Sequence, residues 1–279
     1  MLKPDLAAGE RLAARYPARS VTTPAGVVTY REAGRGTPLV LLHGIGSQSG
    51  SWTGQLDDLA VRFRMLAWDA PGYGGSDALK PAAPAAADYA AVLAAFLDAL
   101  EVERTVLVAS SLGALMAAAF AARWPQRTAR LVLLNPAGGY GRAPERERND
   151  KLNARLERLD QLGPTGMAVA PSPGMLSESA SAEARALAAW STAQIRPDGY
   201  RQAARMLASG CLLADAPRFA GPVLVAAGSV DTVTPASGCE RIALAFPDAR
   251  FHLLEGVGHL SYLDAPGAVN ALIAAFAQQ

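Results

Sequence analysis

Residues 104–120 read RTVLVASSLGALMAAAF: an apolar strand-like run, then two adjacent hydroxyls at Ser110 and Ser111, then a helix built from small residues. No loop residue separates the two patterns, so the turn between strand and helix has to be sharp. Such a turn needs small residues two places before and two places after its apex, where larger ones clash as the backbone doubles back. With Ser110 at the apex those places hold Val108 and Leu112; with Ser111 there they hold Ala109 and Gly113. The frame selects Ser111 as the exposed apex and leaves Ser110 as the variable residue beside it.

The same alternation extends outward in both directions. Upstream, SVTTPAG, VVTYREAG and PLVLLHG read as three short strands between Val21 and Gly44, with turn chemistry at TPAG and GRGTP. SWTGQLDDLAVRF then reads as a helix, RMLAWD as a strand and AADYAAVLAAFLDAL as a helix; after the 104–120 unit comes the strand ARLVLLNP. Short apolar strands alternating with helices predict a parallel sheet covered on both faces, because each crossover helix must bury its apolar stripe against the sheet. Between about Ala137 and Ala216 the alternation stops. A charged stretch, AGGYGRAPERERNDKLNARLERLDQLG, leads into the Pro- and Ser-rich VAPSPGMLSESASAE and then into helical patterns around Trp190 and Met206. The pattern resumes with GPVLVAAG, ASGCERIALAF, ARFHLLEG and PGAVNALIAAFAQ. The expected organisation is one α/β core, residues 1–136 and 217–279, with a helical insertion at 137–216.

Composition narrows the function. The 279 residues are 51% hydrophobic, and 26 Lys plus Arg face 25 Asp plus Glu, so no net field draws nucleic acid or an anionic membrane. MLKPDLAAGERLAARYPARS interrupts its apolar residues with Asp5, Glu10, Arg11 and Arg15; it reads as a short exposed helix and not as a secretory signal. The Ala-rich runs carry Pro and charge and fall short of the roughly 20 apolar residues of a membrane span. Cys211 and Cys239 form no C-x-x-C pair, which fits a reducing, cytoplasmic setting and offers no metal or disulfide framework.

A serine hydroxyl is a weak nucleophile until a base takes its proton, and the base needs an acid to hold its tautomer. In an open parallel sheet the reactive groups gather at the carboxyl ends of strands. Of three histidines, His252 lies inside a strand pattern, and His43, before Gly44, suits holding a loop in shape. His259, in GVGHLSYLDAP just past a strand end and flanked by glycines, is the best base. Asp231, in the loop GSVDTVTP beyond strand PVLVAAG, is the best acid. Asp69 suits a turn, and Asn135 occupies another strand end without an ionisable group.

The order Ser111, Asp231, His259 and the landmarks HGIGSQSGSW, WDAPGYGGSD, ASSLGA, GSVDTVTP and GVGHLSYLDAP together resemble the α/β-hydrolase family across about four fifths of the chain. The resemblance implies a sheet of about eight strands with a helical cap inserted after the sixth. It also implies an oxyanion hole made by the backbone N–H groups of Leu112, at the helix start, and Ile45, directly after HG. No metal or organic cofactor is required, and the partner is a small carbonyl substrate. Ala109 stands where the family more commonly has glycine.

A serine at the apex argues against the dehalogenases and epoxide hydrolases of this fold, which carry Asp there. NARLERLDQLGPTGMA, RPDGYRQAARML and the stretch from Ala216 to Pro235 are similar to 3-oxoadipate enol-lactonases, although VAPSPGM and the HG pair depart from that pattern. The expected activity is hydrolysis of a carboxylic ester or enol-lactone through an acyl-enzyme. Two alternatives stand beside it: a C–C bond hydrolase of the meta-cleavage type, and a hydrolase-fold binding protein or receptor with slow turnover. The candidate substrate-binding residues are His43, Trp190, Arg196, Arg201 and Arg205, the arginines as partners for substrate carboxylates. No motif specifies the oligomeric state.

Overall fold

The computed structural model describes residues 5–279. Helix α1 (Leu6–Ala14) precedes the strands β1 (Arg19–Thr23), β2 (Gly26–Ala33) and β3 (Thr37–Leu42). A 3₁₀ turn, Ser49–Trp52, runs into α2 (Thr53–Leu59), followed by β4 (Phe63–Trp68), α3 (Ala86–Ala99), β5 (Thr105–Ser110), α4 (Gly113–Arg123) and β6 (Thr128–Leu134). Four α-helices and no strand come next: α5 (Glu145–Val169), α6 (Ala182–Ala193), α7 (Pro197–Ser209) and α8 (Leu212–Asp215). The chain closes with β7 (Val223–Gly228), α9 (Ala236–Ala243), β8 (Ala249–Leu254), α10 (Ser261–Asp264) and α11 (Pro266–Ala277).

The eight strands form one sheet in the order β1-β2-β4-β3-β5-β6-β7-β8. β1 and β2 are antiparallel, β2 runs antiparallel to β4, and every later pair is parallel. Side chains on successive residues of a strand point to opposite faces, so the apolar strands feed two cores at once. Val40, Leu42, Leu107, Ala109, Leu131 and Leu133 pack on one face with α3 and α4. Leu39, Leu41, Val106, Val108, Val132 and Leu134 pack on the other with α2 and α11. The parallel strands therefore end on one edge of the sheet, where the loops carrying Ser111, Asp231 and His259 begin.

Three local differences from the sequence reading have physical causes. The helix expected over 51–63 is a 3₁₀ turn plus α2, and Phe63 already belongs to β4 in register with Thr37. Hydroxyl groups tighten its start, since Ser51 Oγ donates to the Gln48 carbonyl and Thr53 Oγ1 to the Gly50 carbonyl. Helix α1 forms, but one of its faces is buried against α6: a Cβ at Gly9 would stand 2.4 Å from the Ala186 carbonyl oxygen. The first four residues of that expected helix lie outside the described residues. Finally, α5 is two helical pieces joined at Gly163 (φ 60°, ψ 174°) and Pro164, because proline cannot continue the hydrogen-bond ladder.

Among the described residues, no helix is long and apolar enough to cross a membrane.

Candidate active site

β5 ends at Ser110 and α4 begins at Gly113, so two residues make the whole turn. Ser111 takes φ +52°, the left-handed region that costs a non-glycine residue on the order of 1–2 kcal/mol. The surroundings hold it there. Its N–H donates to the Leu134 carbonyl at 3.0 Å, and its carbonyl accepts from the N–H groups of Ala114 and Ala137. Gly113 is demanded by β3: a Cβ there would stand 2.5 Å from the Leu42 carbonyl oxygen and 2.9 Å from that of His43. Both obstacles are backbone. Gly113→Ala should therefore cost about 3 kcal/mol as α4 is pushed off the sheet, and a denaturant melt should show a lower midpoint with an unchanged slope.

The turn presents Ser111 to the loop after β8. Ser111 Oγ lies 2.8 Å from His259 Nε2, and His259 Nδ1 lies 2.8 Å from Asp231 Oδ2. All three residues are buried, with Ser111 retaining 8% exposure. The His259 loop is fixed at several points. The N–H of His259 donates to the Gly174 carbonyl at 2.9 Å and that of Leu260 to the Met175 carbonyl at 2.8 Å. Asp264 Oδ2 accepts from the N–H groups of Gly258 and Ser177, which ties the loop to the Pro- and Ser-rich segment of the insertion.

Asp231 is saturated with donors. Oδ1 accepts from the N–H groups of Val233 (2.7 Å) and Thr234 (2.9 Å), and Oδ2 also accepts from Thr234 Oγ1 and Asn135 Nδ2, each at 2.8 Å. Burial alone would raise its pKa, but the hydrogen bond and charge of His259 and the Thr234 donors outweigh burial and hold the carboxyl below its ordinary value. The acid thus stays ionised beside an imidazole whose Nδ1 faces it, the arrangement that leaves Nε2 free to accept a proton from Ser111.

The site opens into a cavity of about 420 Å³ lined by Ser111, His259, Ile45 and Leu112 together with residues of α5 and α7. That volume falls in the range of about 300–1,000 Å³ common for small-molecule sites. Among the described residues, neither the Ile45 N–H nor the Leu112 N–H is paired with a protein acceptor, and both residues lie at the cavity wall beside Ser111.

The five residues expected to bind substrate lie elsewhere. His43 is buried as a neutral ring: Nδ1 donates to the Gly44 carbonyl at 2.8 Å, and Nε2 accepts the Ala70 N–H at 3.0 Å. It holds a loop and does not line the cavity. Burial is the largest influence on its pKa and lowers it from 6.5, against smaller upward effects of the Gly44 carbonyl and Asp69. Trp190 is wedged under α1, with its Cβ against Gly9 and its ring edge against Gly50. Arg196 donates to the carbonyls of Ser76 (2.7 Å) and Gly74, and Arg205 to that of Ala82. Arg201 pairs with Asp160 at 2.7 Å. Helix α7 turns Tyr200 and Leu207 to the cavity, which puts Arg201 and Arg205 roughly 100° and 140° around its axis. These arginines fasten α7 to the core loop and to α5.

The buried neutral His43 gives a stability prediction. Its folded pKa lies below that of the unfolded chain, so its contribution is complete above about pH 6.5 and declines as pH falls from there. Melting temperatures measured from pH 8 to pH 5 should fall across that window, and His43→Gln should flatten the slope.

The cavity's cations escaped the sequence reading. They are Lys151, Arg155 and Arg158, from the charged stretch of α5. Their spacing at i, i+4 and i+7, one face of a helix, was the available signal. Tyr140, Thr192 and Tyr200 also line the cavity unannounced.

A strained serine between a parallel strand and a helix, hydrogen-bonded to a histidine and through it to an aspartate at neighbouring strand ends, defines a class. The chain belongs to the α/β-hydrolase family: the family profile described as alpha/beta hydrolase fold matches residues 37–266. It is an enzyme of that family, a hydrolase, and its relatives are hydrolases of several kinds. A thermophilic esterase from Thermogutta terrifontis superposes with a TM-score of 0.83 at 25% identity, covering 94% of this chain and 98% of its own. An enol-lactonase from Burkholderia xenovorans shares the fold with a TM-score of 0.84 at 22% identity, covering 94% and 100%. In sequence, 2-hydroxy-6-oxo-6-phenylhexa-2,4-dienoate hydrolase of Comamonas testosteroni is 30% identical over 116 residues, 40% of this chain and 41% of that one.

Proposed function

We propose that this hydrolase cleaves a carboxylic ester or lactone through an acyl-enzyme on Ser111. The observation that carries the reading is the unbroken relay from Ser111 Oγ through His259 to Asp231, two contacts of 2.8 Å, with its serine end at the wall of the cavity. His259 Nε2 takes the Ser111 proton as Oγ bonds to the substrate carbonyl carbon. Asp231 holds the imidazole in orientation and stabilises the imidazolium that forms. The Ile45 and Leu112 N–H groups donate to the carbonyl oxygen as it gains negative charge, each worth about 3 to 4 kcal/mol in comparable sites. His259 returns the proton to the leaving oxygen, and the acyl group stays on Ser111. A water then gives a proton to His259 and attacks the acyl carbon, releasing the acid and restoring Ser111 Oγ–H.

The helices between β6 and β7 act in this reading as a cap, residues 137–216, over the core of 1–136 and 217–279. Support comes from α5 and α7, which both line the cavity. The cytoplasmic setting rests on two unpaired cysteines, Cys211 and Cys239.

A second reading, hydrolysis of a C–C bond in a vinylogous diketone, is favoured by the local identity to the Comamonas enzyme. The two are separated by turnover of p-nitrophenyl esters and a simple lactone against a 2-hydroxy-6-oxo-dienoate. Ester or lactone turnover dominating by kcat/KM supports the proposal, dienoate turnover dominating replaces it with the second reading, and no turnover of any of the three favours a binding protein.

A further inference from the structure

Among the described residues, the wall of the cavity carries three cations and no carboxylate. Lys151, Arg155 and Arg158 line the same space as Ser111 and His259, and no Asp or Glu does. Of the α5 acids beside them in sequence, Asp150 pairs with Arg146 and Asp160 with Arg201, and Glu157 is exposed and lies outside the cavity lining. The two arginines are instead held by neutral groups. Arg155 donates to the Lys151 carbonyl at 3.0 Å and to Tyr140 Oη at 3.3 Å, and its guanidinium sits 5.4 Å from the Tyr140 ring centroid. Arg158 donates to the Ala170 carbonyl, across the break at Gly163 and Pro164.

Neutral partners fix where a guanidinium points without cancelling its charge. Two half-buried guanidiniums on one helix face, each with N–H donors left over, suit the planar fork of a carboxylate. A positively charged cavity without an internal anion is stabilised by an anion brought from outside.

We propose that Arg155 and Arg158, with Lys151 beside them, form a carboxylate-binding subsite, and that the substrate is an ester or lactone bearing a carboxylate away from its scissile carbonyl. The inference rests on the reading of Ser111 as nucleophile, since it places that carboxylate in the Ser111 cavity. It specifies which class of ester is selected: hemi-esters and acid-substituted lactones over their neutral counterparts. The subsite also gives α5 a role distinct from that of α7, whose arginines hold the fold together.

The test uses the full chain carrying Ser111→Ala, which cannot turn over, and two probes of similar shape, monomethyl glutarate and dimethyl glutarate. Calorimetric titration should show the monoanion binding at least about tenfold tighter than the neutral diester, the effect of one charge-assisted hydrogen bond. Adding Arg155→Gln and Arg158→Gln should remove that difference, and Arg155→Lys should keep part of it. Near-UV circular dichroism checks that the variants remain folded. Equal affinity for the two probes, no binding of either, or a preference that survives in the double arginine variant would overturn the proposal. Covalent labelling of the unmutated chain at Ser111 by a fluorophosphonate reports separately on the nucleophile. A labelled serine without anion preference sinks the subsite alone, and anion preference without labelling sinks the hydrolase mechanism alone.

Discussion

Ser111→Ala is expected to lower kcat on a p-nitrophenyl ester by about 10⁵- to 10⁶-fold, to the level left by binding and the oxyanion donors. Ser110→Ala should keep nearly full activity. The contrast follows from how the two neighbouring hydroxyls are placed. Ser111 Oγ touches His259 at 2.8 Å and reaches the cavity. Ser110 Oγ is fully buried and has no hydrogen-bond partner. Removing an orphaned buried hydroxyl relieves a desolvation cost, so Ser110→Ala should also melt no lower than the parent. Steady-state kinetics on the two single variants, with melting curves, separates the serines.

The second large effect is expected at Asp231. Asp231→Asn should cost about 10⁴-fold in kcat, because an amide offers His259 the wrong partner and favours the wrong tautomer. Stability falls as well. Both carboxylate oxygens are surrounded only by donors: the Val233 and Thr234 N–H groups at one, Asn135 Nδ2, Thr234 Oγ1 and His259 Nδ1 at the other. Whichever way the amide is turned, its NH₂ meets donors, at about 1–3 kcal/mol for the unsatisfied groups. The parent carboxyl has its pKa held below 3.8, so its contribution is present above that value and is lost as pH falls through the lowered one. The stability gap between parent and Asp231→Asn should therefore be constant from pH 8 to pH 5 and close only in strong acid.

The fold was legible because it rests on local signals with few alternatives. Six apolar runs of strand length, spaced by helices, leave little choice but a parallel sheet, and the missing loop between Ser110 and Gly113 forces a sharp turn. The frame argument placed small residues at Ala109 and Gly113; the structure adds that Gly113 is small chiefly because the Leu42 and His43 carbonyls pass beside it. That is a contact across 70 residues, and no local pattern encodes it. That Ser111, Asp231 and His259 would meet was legible because each follows a strand end.

The insertion was legible only as helical. Which face of α5 or α7 looks inward depends on how those helices dock, and docking is set by contacts distant in sequence. Arg196, Arg201 and Arg205 carry the charge a substrate carboxylate needs, yet their carbonyl and Asp160 partners lie in the 70–85 loop and on α5. Trp190 was drawn out of the cavity by α1, whose Gly9 admits it closely. The segment VAPSPGMLSES showed no periodicity, and its role is seen in the Gly174 and Met175 carbonyls that accept from the His259 loop and in the Ser177 N–H that donates to Asp264.

The most direct test of the central claim is rapid-quench mass spectrometry of the enzyme mixed with a slowly deacylating p-nitrophenyl ester. The account predicts an acyl group, lost at the rate of turnover, on the single peptide containing Ser111, and none on the Ser111→Ala protein. Steady release of acid with no acylated Ser111 at any time would contradict it.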